Sequence, residues 1–190
     1  MWIPDRRNAR FVPDAAWGLA SCAVVAILFR ELAKPRIGES LRGYLDYYRF
    51  PEQRDRRGPF NGQPGRVALF RYIFETLKPV ALIETGTFLG ATTDFLASFG
   101  RPVFTVEHQA HIYGFAQARL QLRRSVTIAR GDSRVILRRW LAGPLRRRAD
   151  AETLFFYLDA RGNDELPVAE ELAIVFGRCP RAICRLTSRR

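Results

Sequence analysis

Residues 81–93, Ala-Leu-Ile-Glu-Thr-Gly-Thr-Phe-Leu-Gly-Ala-Thr-Thr, constrain the fold of this chain more than any other stretch. An apolar run from Val80 to Ile83 stops at an acid, turns through Gly86 and Gly90, and enters a helix-like run from Ala91 to Phe99. That is a buried strand, a glycine turn and a helix N-terminus in succession, the arrangement with which an α/β sheet holds a nucleotide-like ligand. Gly86 opens backbone dihedrals closed to other residues, and Gly90 lets backbone or ligand approach without a Cβ in the way. Glu84, at the strand's carboxyl end, repels phosphate, so a cationic or hydroxyl-bearing ligand suits it better.

The same pattern recurs downstream. Residues 102–106 form a second β-rich run ending in Glu107-His108, 125–129 a third ending in Gly131-Asp132-Ser133, and 153–158 a fourth, almost wholly apolar, ending in Asp159-Ala160. Helical periodicity separates them over 110–122, 135–141 and 166–176, and precedes the first strand over 66–77. Strands alternating with helices predict a parallel, Rossmann-like sheet flanked by helices, with right-handed crossovers. Ligands bind beyond the carboxyl ends of the strands in such sheets, so Glu84, Glu107, Asp132 and Asp159 are expected to face one crevice. Glu107 follows Gly86 at the interval where an acid reaches ribose hydroxyls. Asp132 is placed to receive an adenine amine, and Glu84 lies where a positively charged ligand group would sit. Taken singly, Asp132 or Asp159 is more simply a helix cap or a solvated loop acid.

Upstream, residues 1–14 are irregular and basic, and 15–29 form an apolar run without a polar face. As a helix such a run rises only about 22 Å, short of the roughly 30 Å hydrocarbon core. A membrane-associated helix and a helix packed against the domain therefore both remain open. Residues 41–48 show a short amphipathic pattern, and 51–65 concentrate Pro, Gly and charge as a loop. Within that loop the amides Asn61 and Gln63 stand beside glycines, where such groups more often bond their own turn than a ligand.

Composition narrows the function classes. The 190 residues carry a net charge of +12, and of 31 basic residues only Lys34 and Lys78 are lysine. The arginines are scattered, and their clusters at 54–57, 138–148 and 185–190 lack interleaved aromatics, which argues against nucleic acid as the partner. The cysteines, Cys22, Cys179 and Cys184, have neither zinc spacing nor a paired framework, which fits a reducing, cytoplasmic compartment. His108 and His111 are the only histidines.

Taken in order, Glu84-Thr-Gly-Thr-Phe-Leu-Gly90, Val106-Glu107, Gly131-Asp132-Ser133 and 156–160 (Phe-Tyr-Leu-Asp-Ala) resemble the successive motifs of class I S-adenosylmethionine-dependent methyltransferases. Residues 59–63, Pro-Phe-Asn-Gly-Gln, are similar to a segment that precedes the fold in some small-molecule O-methyltransferase-like members. The resemblance implies that Glu84, Gly86, Thr87 and Gly90 hold the amino acid end of S-adenosylmethionine, Glu107 its ribose, and Asp132 with Ser133 its adenine. Asp159 would stand nearest the transferred methyl, as a base or as ligand to a divalent metal. The implied reaction is O-methyl transfer to a small molecule or sugar hydroxyl. His108 and His111 follow the second strand, on the ribose side, and rank below Asp159 as the base.

The resemblance also has departures. Metal-dependent relatives end the fifth strand in a pair of acids. Here that strand begins at 181–184 and runs into Arg185-Leu-Thr-Ser-Arg-Arg190, which predicts a C-terminally truncated sheet of about four to five strands. The expected organisation is a helical extension over 1–50, a loop or linker over 51–65 and an incomplete methyltransferase-like domain over 66–190. The competing expectation is a non-catalytic S-adenosylmethionine-binding module, membrane-associated through 15–29. A dinucleotide-binding domain is disfavoured, because the glycine spacing differs and an acid occupies the pyrophosphate position.

Overall fold

A computed structural model describes residues 38–54, 58–160 and 167–186. The apolar run 15–29 lies outside the described residues, and among these no helix is long and apolar enough to cross a membrane. Gly38 is the first residue of the compact unit that carries the sheet.

Five strands form one parallel sheet: β1 (Ala81–Thr85), β2 (Val103–Glu107), β3 (Val126–Arg130), β4 (Leu154–Leu158) and β5 (Ala182–Leu186). Their order across the sheet is β3-β2-β1-β4-β5. Every residue of β1 and β4 is buried, whereas β3 and β5 at the edges are largely half-buried. Continuous apolar runs such as Leu-Phe-Phe-Tyr-Leu in β4 are what a central parallel strand needs, because helices cover both of its faces. The fifth strand, expected from 181–184, spans Ala182–Leu186 and carries Arg185 near its carboxyl end.

Eight-residue or longer helices are α1 (Glu39–Arg49), α2 (Pro64–Leu77), α4 (Ala110–Leu120), α5 (Ser133–Ala142) and α7 (Val168–Phe176); α3 (Ala91–Ala97) and α6 (Arg146–Ala151) are shorter. On one face, Ile83, Phe156 and Leu158 pack with Leu137, Trp140 and Leu141 of α5, Leu145 and Ala149 at α6, and Val175 of α7. On the other, Leu82, Phe155 and Tyr157 pack with Phe70 of α2, Leu96 of α3 and Phe60. The chain moves from β1 out to β3, then returns across the sheet to β4. Crossovers of one hand therefore place helices on opposite faces before and after the return. That reversal leaves a crevice between the carboxyl ends of β1 and β4, the topological switch point.

Helix α1 is fastened to α4. Gly43 and Gly114 let the two backbones approach so closely that a Cβ on either would collide with main chain of the opposite helix. Tyr47 stacks edge-on against the buried Phe115 at 5.3 Å, and His111 Nε2 meets Asp46 Oδ2 at 2.8 Å. His111 is thus spent on joining two helices.

Candidate functional site

The turn after β1 is fixed by the sheet itself. The amides of Gly86 and Thr87 both donate to the Val106 carbonyl, at 2.9 and 3.1 Å, so the chain is pulled over the end of β2 before entering α3. Gly86 has φ +81°, and a Cβ there would lie 2.7 Å from the Asp159 carbonyl oxygen. Only glycine satisfies both the left-handed backbone and the close approach of the β4 terminus. Gly90, at φ +77°, is the N-cap of α3.

Around this turn sits a buried polar network. Glu84 is 1% exposed, and its Oε2 accepts from Thr93 Oγ1 at 2.5 Å and Thr105 Oγ1 at 2.8 Å. Thr105 in turn shares a hydrogen bond of 2.6 Å with Thr87. Burial pushes the Glu84 carboxyl up to about 8, against the two threonine hydroxyls, and the negative charges of Asp159 and Glu107 add to the rise. A neutral acid at the end of β1 is poised to ionise when a cation arrives beside it.

Glu107 ends β2 and holds the turn from the far side. Its Oε2 accepts the Phe88 amide and its Oε1 the Gln109 amide, both at 2.9 Å. An ionised carboxylate has about four lone-pair positions, so two acceptor positions remain for further donors such as hydroxyls. Asp132 is the N-cap of α5, with Oδ1 accepting the Arg134 amide at 2.8 Å. The Arg134 guanidinium closes on the same carboxylate, Nη2 to Oδ2 at 2.7 Å, and these contacts hold Asp132 down at about 2. Arg134 also reaches Glu170 of α7. Ser133 is 8% exposed. It lies beside Glu171, a carboxyl buried in α7 whose Oε2 accepts from Thr85 Oγ1 at 3.3 Å and which burial pushes upward.

A cleft with about 430 Å³ of empty space, open solvent at its mouth included, lies at the switch point. Glu84, Gly86, Thr87, Phe88 and Leu89 line it from the turn, Ala91 and Thr92 from α3, and Tyr157 and Asp159 from the end of β4. Tyr157 Oη donates toward Asp159 Oδ2 at 3.5 Å. Of the residues singled out from sequence, Glu84, Gly86, Thr87 and Asp159 line this cleft, whereas Gly90, Glu107, Asp132 and Ser133 do not. The four acids nevertheless stand at the ends of adjacent strands, in the order Asp159, Glu84, Glu107, Asp132 from β4 through β1 and β2 to β3. At about 4.8 Å between strands, that row spans roughly 14 Å.

The wall opposite β1 was not anticipated. Gln53 and Arg54, just after α1, and Gly58 and Asn61 complete the cleft. Gly58, Phe60, Asn61 and Gly62 all have positive φ, between 51 and 71°. This costly backbone is held by Phe60, which is fully buried among Phe70, Phe95 and Tyr157 and donates its amide to Thr92 Oγ1 at 3.0 Å. Asn61 is thereby presented to the cleft. Arg54 is fixed as well: Nε donates to the Tyr47 carbonyl at 2.8 Å, its guanidinium covers the Tyr47 ring at 4.3 Å, and its own carbonyl accepts from Arg119. The motif 59–63 carried the signal, but only the fold shows which of its amides faces inward.

No group of three or more His, Cys, Asp or Glu among the described residues could hold a metal ion. Among the described residues Asp159 therefore belongs to no set of ligands for a divalent metal. Cys179 and Cys184 are free thiols that burial raises to about 11.

Two solved structures share this architecture. A Klebsiella pneumoniae protein assigned as an O-methyltransferase aligns with a TM-score of 0.51 at 19% identity, covering 83% of this chain and 67% of its own. An O-methyltransferase from Bacillus cereus, solved in complex with SAH, aligns with a TM-score of 0.51 at 14% identity, covering 82% of this chain and 68% of its own. The chain thus spans about two thirds of the length of either protein. At these identities the likeness is one of fold: a Rossmann-like α/β fold of the kind found in these O-methyltransferases. No protein-family model and no curated protein matches the sequence.

Proposed function

We propose that this protein is an S-adenosylmethionine-dependent methyltransferase that methylates a hydroxyl of a small molecule. The observation that carries the reading is the cleft at the switch point, with a neutral buried Glu84 on one side and Asp159 on the other. Glu84, Gly86 and Thr87 line the cleft, and Glu107 and Asp132 stand at the ends of the next two strands. Glu84 and the Gly86 turn would receive its amino acid end, Glu107 its ribose hydroxyls, and the Asp132–Ser133 corner its adenine. When bound, the cofactor supplies an electrophilic methyl group on a sulfonium.

The remaining work falls to this chain. Displacement at carbon depends chiefly on alignment, which the rigid turn, the Phe60-anchored loop and the buried wall of β4 supply. Asp159 accepts the proton of the attacking hydroxyl, and Tyr157 orients its carboxylate. Asn61, from the opposite wall, offers an amide to the acceptor or to the cofactor's carboxylate.

The test is transfer of a labelled methyl group from S-adenosylmethionine to a panel of catechols, hydroxy acids and sugars. Asp159→Asn should lower turnover about 10²- to 10⁴-fold with cofactor affinity retained. Wild-type turnover in that variant would remove Asp159 from the chemistry. Cofactor binding without transfer to any acceptor would support the non-catalytic binding module instead.

A further inference from the structure

Among the described residues three buried side-chain atoms have no hydrogen-bond partner: Arg119 Nε, Glu171 Oε1 and Arg185 Nε. Two of these belong to the scaffold. Arg119 lies against Gly90 and ties α4 to the Arg54 carbonyl, while Glu171 backs Thr85 on the face away from the cleft. Arg185 is placed differently.

In the β4–β5 register Arg185 is paired with Tyr157. Paired residues of adjacent parallel strands project from the same face, so Arg185 shares a face with the tyrosine that lines the cleft beside Asp159. Tyr157 is also met by Arg66, from the first turn of α2, whose Nη1 donates to Tyr157 Oη at a long 3.4 Å. Both arginines are half-buried, and neither forms an ion pair among the described residues. One cationic side chain thus meets the tyrosine hydroxyl, and a second stands at the paired position of the next strand with a desolvated Nε–H that has no acceptor among the described residues. A guanidinium Nε–H and its neighbouring Nη–H form a fork that matches two oxygens of a carboxylate or phosphate, and an unmet buried donor is costly.

We infer, building on the methyltransferase reading, that Arg66 and Arg185 form a subsite for an anionic group of the methyl acceptor, a carboxylate or a phosphate. The acceptor then spans Tyr157, with its hydroxyl at Asp159 and its anion one strand further toward β5, about 5 Å away. That separation corresponds to hydroxyl and acid substituents on one small ring or short chain. The net charge of +12 favours the approach of such acceptors.

The arginine Nε–H resonances of ¹⁵N-labelled protein, followed by NMR during titration with acetate and with inorganic phosphate, test this directly. Arg185→Gln assigns the line, and Arg185→Lys, which keeps the charge but lacks the Nε–H, assigns it should the first variant fail to fold. The Arg185 line should shift saturably while that of Arg124, exposed in the turn before β3 at the opposite edge of the sheet, does not. Arg66→Gln should weaken the response about tenfold or more, and the tighter anion tells carboxylate from phosphate. An Arg185 line that stays flat, or that moves no more than that of Arg124, overturns the subsite. Calorimetry with S-adenosylhomocysteine on the same sample separates the two proposals. Its failure alongside a responding Arg185 would strike the methyltransferase reading and leave the anion site standing.

Discussion

Glu84 concentrates the chemistry of the site in one side chain. Its carboxyl ionises at about 8 in the folded protein but near the ordinary glutamate value when unfolded, so between these values the folded state holds the extra proton. Its contribution to stability is greatest below about pH 4.5 and is lost progressively as the pH rises toward about 8, a change on the order of a few kcal/mol. Thermal unfolding should show the wild type losing Tm from pH 5 to pH 8 relative to Glu84→Gln; parallel profiles would contradict a neutral Glu84. A ligand ammonium beside it favours the carboxylate, so S-adenosylhomocysteine binding at pH 7 should release a proton. The calorimetric heat would then vary with buffer ionisation enthalpy in the wild type and not in Glu84→Gln. The acid and its glycines were legible because they break an apolar run. Thr93 and Thr105, which hold it, were not, because a threonine reads the same in sequence whether its hydroxyl meets a buried acid or its own backbone. Glu171 was hidden for a related reason: a glutamate in a helix looks solvated until Thr85 is found against it.

At the scale of elements, periodicity located the strands and most helices to within a few residues, since burial on one or both faces writes itself into spacing. Close backbone packing does not. Gly43 and Gly114 look like defects in α1 and α4, yet they are where the two helices cross, and a Cβ at Gly114 would overlap the Ser40 carbonyl. Gly114→Ala should therefore cost about 3 kcal/mol, the upper range for overpacking, because backbone must move. It should also weaken cofactor binding, since α1 leads directly into Gln53 and Arg54 on the cleft wall. Gly65→Ala, with open space around its Cβ, should leave the urea midpoint unchanged or slightly raised. Equal midpoints for the two variants would show that the α1–α4 crossing is not tight. The loop 59–62 was equally opaque, because Phe60 and Asn61 adopt left-handed backbone that their residue types do not announce.

Across the whole molecule, sheet order converts four separate acids into one ordered row. Sequence gives the succession of strands but not that β4 returns to pair with β1, and it is this return that opens the crevice beside Glu84 and Asp159. The scattered arginines likewise become specific only in place: Arg134 clasps Asp132, Arg54 lies over Tyr47, and Arg66 and Arg185 flank Tyr157. The central claim is that the crevice takes a sulfonium nucleoside rather than a dinucleotide. Isothermal titration of the full chain with S-adenosylhomocysteine, and separately with NAD, tests it most directly. The account predicts saturable one-to-one binding of S-adenosylhomocysteine, lost in Gly86→Ala, and no binding of NAD; binding of NAD without S-adenosylhomocysteine would contradict it.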